Sequence, residues 1–357
     1  MKLLFVNCKK NWGGIATISA LLMRALQPEG TESLHLFTKK RADIFVLPEP
    51  ITNIPVRFGF NYNPFTILKI VLLIKKHQIS HVVVNIAKEI IFGGIAARIC
   101  GIKCIRLIGN ELDFEKHRLL CSKFVDLNIF PSRYSLDAAL KKFNYTKRLR
   151  NTVVYCGVEE RQVSEAEKRC EYERLNINPE HFIIGCTGRV VRDKGVKTLF
   201  EAFAKVSAAI PQAILVINGK GNYLPVLRKQ VSQSQLDERV RIQGFAPDCL
   251  ISASIYDIAV MPSHIEGFPN TVIEYMSLGK CIITTAVGGI PEALQDGVNG
   301  LFFKVEDTDE LAHKLVLLFK DEQMRQRLGV TARERYLENY TSSAMAASFL
   351  HSLEQLS

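Results

Sequence analysis

The chain has 357 residues, of which 47% are apolar and 23% charged, with a formal net charge of +10 at pH 7. That length suits two domains of roughly 150–180 residues with an apolar core each. Nine scattered cysteines without a C-x-x-C pair argue against a disulfide framework and for reduced thiols in a cytosolic protein. Cys100 and Cys104 share a ligand-like gap, but no second pair completes a zinc site.

In chain order, apolar runs predict strands at Lys2–Asn7, Leu34–Thr38, His81–Asn85, Lys103–Leu107, Asp126–Pro131 and Thr152–Tyr155. Helical patterns fall near 14–26, 65–78, 88–100, 114–123 and 132–143. Leu3–Val6 is too short and too soon followed by Lys9 and Lys10 to be a signal peptide. Phe65–Ile74 is the most apolar stretch, but Lys69 interrupts it and a bilayer span needs about 20 residues. Its apolar residues lie on nearly all sides of the helix, which predicts burial against the sheet; a membrane-surface helix is the alternative.

After Gly157 comes a charged stretch to about Asn178, read as an irregular hinge. The second half repeats the rhythm. Strands are expected at Phe182–Thr187, Ala213–Asn218, Val240–Gln243, Ile258–Pro262, Cys281–Thr284 and Leu301–Phe303. Helices are expected near 195–209, 222–234, 269–278, 308–319 and 322–338. This alternation predicts an α/β protein of two Rossmann-like domains, with ligand loops at the carboxyl ends of both sheets.

Charge divides unevenly between the halves. Residues 1–155 hold 24 Lys and Arg against 10 Asp and Glu, and residues 156–357 hold 22 against 26. The first half therefore attracts anionic surfaces, such as phospholipid or a phosphorylated glycolipid. No basic–aromatic interleaving supports nucleic acid as the partner.

The densest functional signal is Ser263-His-Ile-Glu266-Gly267-Phe268-Pro269-Asn270-Thr271-Val-Ile-Glu274. Pro269 favours a helix start there, which puts Glu266 in the preceding loop and Glu274 inside the helix. The two carboxylates then stand roughly 10 Å or more apart. That is long for a retaining glycosidase pair. It suits two carboxylates gripping the ends of an elongated ligand, with helix-start amides holding an anion between them.

This stretch, continued by Tyr275-Met-Ser-Leu-Gly279, resembles the signature of glycosyltransferase family 4, retaining enzymes of the GT-B fold. The likeness extends to Gly188-Arg189…Lys194-Gly195, to Gly288-Gly-Ile-Pro-Glu292 and to Asp296-Gly-Val-Asn-Gly300. Together these motifs cover most of residues 182–305. The resemblance implies facing domains with a cleft between them: 1–157 on the acceptor side, 158–340 binding a nucleotide sugar, and 341–357 as a helix returning to the first domain.

The resemblance further assigns Arg189 and Lys194 to the leaving diphosphate, beside the Gly188 turn. Glu266 is assigned to the donor sugar, and Glu274 to its ribose. Gly13 and Gly14, after the first strand, would bring backbone to the donor; Gly244 and Phe245 would form the turn that meets the base. Gly267, Phe268, Pro269, Asn270 and Thr271 complete the donor set. Many relatives carry a His after the fourth strand; here Asn110 and Glu111 stand in that region and are the acceptor-side candidates. A lone Gly219-Lys-Gly221 is too weak to indicate a dinucleotide fold, since position 224 is Leu.

Asp307-Thr-Asp309 matches a metal-binding D-x-D, but it precedes an amphipathic helix, where acids cap and complement the dipole. No catalytic metal is expected. The expected activity is retaining, metal-independent transfer of a hexosyl group from a UDP-sugar or GDP-sugar to a glycan or glycolipid, in polysaccharide or lipopolysaccharide biosynthesis. The expected location is cytoplasmic, with peripheral contact to an anionic membrane. A non-hydrolysing sugar-nucleotide epimerase and a catalytically silent sugar-nucleotide-binding subunit are the alternatives.

Overall fold

The computed structural model describes residues 1–9, 14–38, 46–59, 63–109, 123–244 and 248–356. The chain divides into two compact units, Met1–Glu159 with Thr341–Ser357, and Glu160–Tyr340.

The first unit contains the strands Lys2–Asn7 (β1), Glu32–Thr38 (β2), Thr52–Val56 (β3), His81–Val84 (β4), Lys103–Leu107 (β5), Leu127–Phe130 (β6) and Asn151–Val153 (β7). They form one parallel sheet in the order β3-β2-β1-β4-β5-β6-β7. Parallel strands are covered on both faces, so their side chains are apolar in both directions. Leu3 and Phe5 of β1 pack with Ala20, Leu22, Met345 and Phe349, while Leu4 and Val6 pack with Ile70, Ile74 and Phe92. The Ser342–Glu354 helix thus completes the first unit's core beside the Gly14–Ala25 helix. A Cβ on Gly157 would lie 2.2 Å from the Thr341 carbonyl oxygen, so only glycine admits this return of the chain.

The second unit contains Phe182–Thr187 (β8), Ala213–Asn218 (β9), Val240–Gln243 (β10), Ile258–Met261 (β11), Cys281–Thr285 (β12) and Leu301–Phe303 (β13). This sheet is also parallel, in the order β10-β9-β8-β11-β12-β13. Strand order reverses next to β1 and next to β8. In open parallel sheets the crevice beyond the strands' carboxyl ends at such a point is where ligands bind.

Among the described elements, four differences from the sequence reading are informative. β3 was not expected, because Pro55 within it removes a ladder donor; the strand survives because it sits at the sheet edge. The supposed irregular hinge contains the Glu165–Leu175 helix, opened by a capping box in which Ser164 and Glu167 exchange hydrogen bonds. That helix has no apolar stripe, so periodicity could not reveal it. The helix expected over 88–100 is Ala87–Glu89 and Ile95–Cys100 joined through a π-helical segment, Ile90–Gly94. There a Cβ on Gly93 would lie 2.8 Å from the Val84 side chain. Finally, the Pro64–His77 helix buries Thr66, Ile70, Val71 and Ile74 but leaves Phe65, Leu68 and Leu72 exposed. It is covered on one side only, not all round.

Candidate functional site

The carboxyl ends of β8, β9 and β10 run into three glycines. Gly188 N–H donates to the Asn218 carbonyl at 2.9 Å, and Gly219 N–H donates to the Gly244 carbonyl at 2.9 Å. The ladder therefore continues one residue past the strands. Gly219 has φ +154°, and a Cβ there would lie 1.7 Å from the Gly188 oxygen. Phe245, beyond Gly244, lies outside the described residues.

Below this edge the end of β8 is pinned by two buried tyrosines. Tyr275 Oη accepts from Thr187 N–H at 2.8 Å, and Tyr256 Oη lies 3.0 Å from Thr187 Oγ1 and accepts from Asn218 Nδ2 at 2.6 Å. Burial pushes both phenols up, which keeps them neutral. Tyr256 occupies the space a Cβ on Gly185 would need. Tyr275 lies in the signature stretch without an assigned role, and for Tyr256 an interior strand glycine was the available signal.

After Gly188, Arg189 is exposed and Val190 buried. The chain then makes a 3₁₀ turn, Arg192–Lys194, that closes on Gly195 at φ +65°. A Cβ at Gly195 would lie 1.8 Å from the Pro262 oxygen, and His264 N–H donates to the Asp193 carbonyl at 2.9 Å. The loops after β8 and β11 are thereby locked together. The lock brings Lys194 Nζ onto Glu266 Oε1, where Ser263 Oγ also donates at 2.7 Å. This ion pair joins residues 72 apart in sequence, with both side chains largely buried, at 22% and 11% exposure.

The Glu266 loop is held from its other side by the double glycine. Gly289 N–H donates to the Gly267 carbonyl at 2.9 Å. Gly288 has φ +59°, and a Cβ there would lie 1.7 Å from the Glu266 oxygen. Phe268 is buried, with its ring 5.7 Å from that of Tyr340. Pro269 is the N-cap of the Asn270–Ser277 helix, one residue outside the first turn, and no side chain caps the helix. Asn270 Oδ1 and His264 Nε2 are buried without a hydrogen-bond partner. Glu274 is partly exposed; burial pushes its carboxyl up, and a hydrogen bond from Cys249 opposes the rise.

Asp307 caps the Thr308–Lys320 helix, accepting from Glu310 N–H at 2.9 Å, and Asp309 pairs with Lys205 at 2.5 Å. Asp296 accepts from Phe302 N–H at 2.7 Å and Asn299 from Gln295 N–H at 2.6 Å, so Asp296–Gly300 is a turn feeding β13. Among the described residues no three His, Cys, Asp or Glu side chains cluster as a metal site.

In the first unit, Gly14 opens the helix after β1, and Gly13 lies outside the described residues, as do Asn110 and Glu111. At the carboxyl edge of that sheet Glu89 is fully buried. It accepts from Cys8 N–H at 2.8 Å, Asn85 N–H at 2.8 Å, Asn85 Nδ2 at 3.1 Å and Ile86 N–H at 3.2 Å. Burial pushes its carboxyl up while these four donors oppose the shift. Its place in the expected 88–100 helix gives no sign of this burial.

Comparison with known proteins bears on the same region. The profile of the family described as Glycosyl transferases group 1 matches residues 167–335. The capsular polysaccharide biosynthesis glycosyltransferase CapM of Staphylococcus aureus is 26% identical over 81% of this chain and 80% of its own. The N-acetyl-alpha-D-glucosaminyl L-malate synthase of Bacillus anthracis is 26% identical over 55% of this chain and 51% of its own. The chain spans about half the length of several other curated relatives it matches. Anabaena HepE, solved in complex with UDP-glucose, superimposes with a TM-score of 0.83 at 19% identity, covering 99% of this chain and 100% of its own. The sucrose-phosphate synthase of Thermosynechococcus elongatus gives 0.80 at 19%, covering 100% and 99%. Residues 167–335 thus match the Glycosyl transferases group 1 profile, in a chain whose two parallel-sheet units have the fold of the GT-B structures.

Proposed function

We propose that the chain is a retaining glycosyltransferase of family 4, moving a hexosyl group from a UDP-sugar or GDP-sugar to a glycan or lipid-linked acceptor without a metal. The observation that carries this is the Lys194–Glu266–Ser263 cluster beside an uncapped helix start, held by the close approaches at Gly195 and Gly288. Glu266 Oε1 is engaged by Lys194 and Ser263, which leaves Oε2 to accept from hydroxyls of the donor sugar. The Asn270 and Thr271 amides, with Arg189 and Lys194, face the charge that grows on the leaving diphosphate. Preorganised donors of this kind usually supply the largest share of catalysis. Glu274 accepts from the ribose hydroxyls. The Gly188, Gly219 and Gly244 edge offers main chain to the nucleoside.

In the reaction the bond from the sugar's anomeric carbon to the diphosphate oxygen breaks, and the acceptor oxygen bonds to the same face of that carbon. The acceptor's proton passes to an oxygen of the leaving phosphate, so no protein base is required. Asn110 and Glu111 are assigned to the acceptor side. Metal independence is supported by the helix-capping role of Asp307 and the Asp309–Lys205 pair. Relatives named for capsule and lipopolysaccharide core biosynthesis support a polysaccharide or lipopolysaccharide role. The basic first half supports work at the cytoplasmic face of a membrane.

The test is a panel of UDP- and GDP-sugars scored for hydrolysis in excess EDTA, followed by an acceptor screen with the product anomer read by NMR. Turnover of at least one donor, with the donor's anomeric configuration kept, is expected. Inversion, strict metal dependence, or donor epimerisation without an acceptor would overturn the reading.

A further inference from the structure

The Pro64–His77 helix carries a feature that the donor site does not use. Phe65 is 81% exposed, Leu68 56% and Leu72 58%. At spacings of three and four residues they form one ridge along the outer side of the helix. The helix bearing Ile99, itself 61% exposed, packs alongside. Exposed side chains of this size, grouped together, mark an interaction surface.

Charge identifies what the ridge meets. Exposed Lys69, Lys75 and Lys76 flank it on the same helix, and exposed Arg98 lies beside Ile99. Between residues 50 and 110 there are eight Lys and Arg but a single acidic residue, Glu89. Glu89 is fully buried and its oxygens are taken by backbone and Asn85 donors. Within residues 50–110 the face therefore presents apolar side chains in a cationic frame, its one carboxylate, Glu89, being buried. A second copy of the chain would set like charges against each other across a two-fold contact. The helix has 14 residues, about 21 Å, and no described helix is long and apolar enough to cross a membrane. An apolar ridge framed by cations is the pattern of helices that lie in the plane of a membrane interface.

We propose that the Pro64–His77 helix docks the protein on anionic phospholipid, with Phe65, Leu68 and Leu72 inserted among the acyl chains and Lys69, Lys75 and Lys76 at the headgroups. This rests on the reading of a lipid-linked acceptor above and names the surface that reaches it. A basic run also stands at Lys141–Arg150, but there the described apolar residues Phe143 and Leu149 are buried or half-buried.

The experiment is co-sedimentation of the full chain with phosphatidylcholine vesicles containing 0 to about 50% phosphatidylglycerol, without nucleotide sugar, at low and high salt. Binding should rise with phosphatidylglycerol and fall as salt screens the headgroups. Phe65→Ser with Leu68→Ser and Leu72→Ser should lower partitioning at least tenfold. Lys69→Gln with Lys75→Gln and Lys76→Gln should lower it about a hundredfold at low salt, about fivefold per lysine, and flatten the salt dependence. All these positions are exposed, and cooperative unfolding checks each variant; Leu68→Glu alone should also weaken binding should the triple change misfold. Binding by both triple variants equal to the unsubstituted chain would overturn the proposal. So would loss of binding only on neutralising Lys141, Lys142, Lys147, Arg148 and Arg150, or a dimer in sedimentation velocity that Leu68→Glu dissociates. Donor hydrolysis measured without vesicles reports on the catalytic reading separately, so the two can fail independently.

Discussion

Gly288→Ala tests whether the close-packed loops place Glu266 for chemistry. A Cβ at position 288 would stand 1.7 Å from the Glu266 carbonyl oxygen, and real Cβ atoms essentially never come nearer than 3.0 Å. The Glu266 backbone must retreat by about 1.3 Å, or the turn must open by as much. A displacement near 1 Å at a group that positions substrate can cost about 100-fold in rate. Gly288 also has φ +59°, where a Cβ costs roughly 1–2 kcal/mol. Gly297→Ala separates the two effects: its φ is +72°, but nothing lies within 4 Å of the added carbon. Both variants should lose a few degrees in Tm from the left-handed φ, and Gly288→Ala more, because its turn must also open. Only Gly288→Ala should drop kcat about 100-fold, measured on whichever nucleotide sugar the panel identifies. Equal turnover in the two variants would refute the claim that this contact positions Glu266.

Glu266→Ala and Lys194→Ala should each lower transfer by about two orders of magnitude or more while the chain stays folded, and Glu274→Ala should chiefly raise the donor KM; unsubstituted rates at Glu266 and Lys194 would remove both from the site. Asp307→Ala should cost about 1 kcal/mol in urea unfolding through loss of the cap and leave kcat unchanged with or without EDTA, whereas loss of a manganese or magnesium requirement would make the motif a metal site. Burial pushes the Lys280 ammonium down to about 8, with Asp257 and the Ser254 carbonyl, 2.5 Å away, facing it. Between pH 8 and 10.5 the unfolded chain then holds a proton the folded one lacks, so this group's contribution rises with pH and is lost as pH falls through 8. The span is up to roughly 3 kcal/mol, and Lys280→Met should flatten that rise in urea melts compared across the window.

Much of the architecture was legible in the chain because buried parallel strands must be apolar on both faces. Phe182–Thr187, Ala213–Asn218 and Val240–Gln243 stand out as such runs, and the glycines that follow them mark the carboxyl edge of the sheet. β3 escaped because its proline is tolerable only at an edge, and edge position is a property of the sheet. The Glu165–Leu175 helix escaped because it is nearly all polar, although its Ser164–Glu167 capping box was there to be read. The motifs around Glu266 and Lys194 were visible, but their pairing spans 72 residues and depends on loops meeting at Gly195 and Pro262. The tyrosine pins under β8 and the buried Glu89 are set by partners distant in sequence. Burial was the harder matter still. The composition of the Pro64–His77 helix says that it is apolar, and only the packing of the sheet beneath it decides that Ile70 and Ile74 are covered while Phe65, Leu68 and Leu72 face out. Periodicity reports which residues prefer an apolar environment; which of them receive one is decided by neighbours distant in sequence.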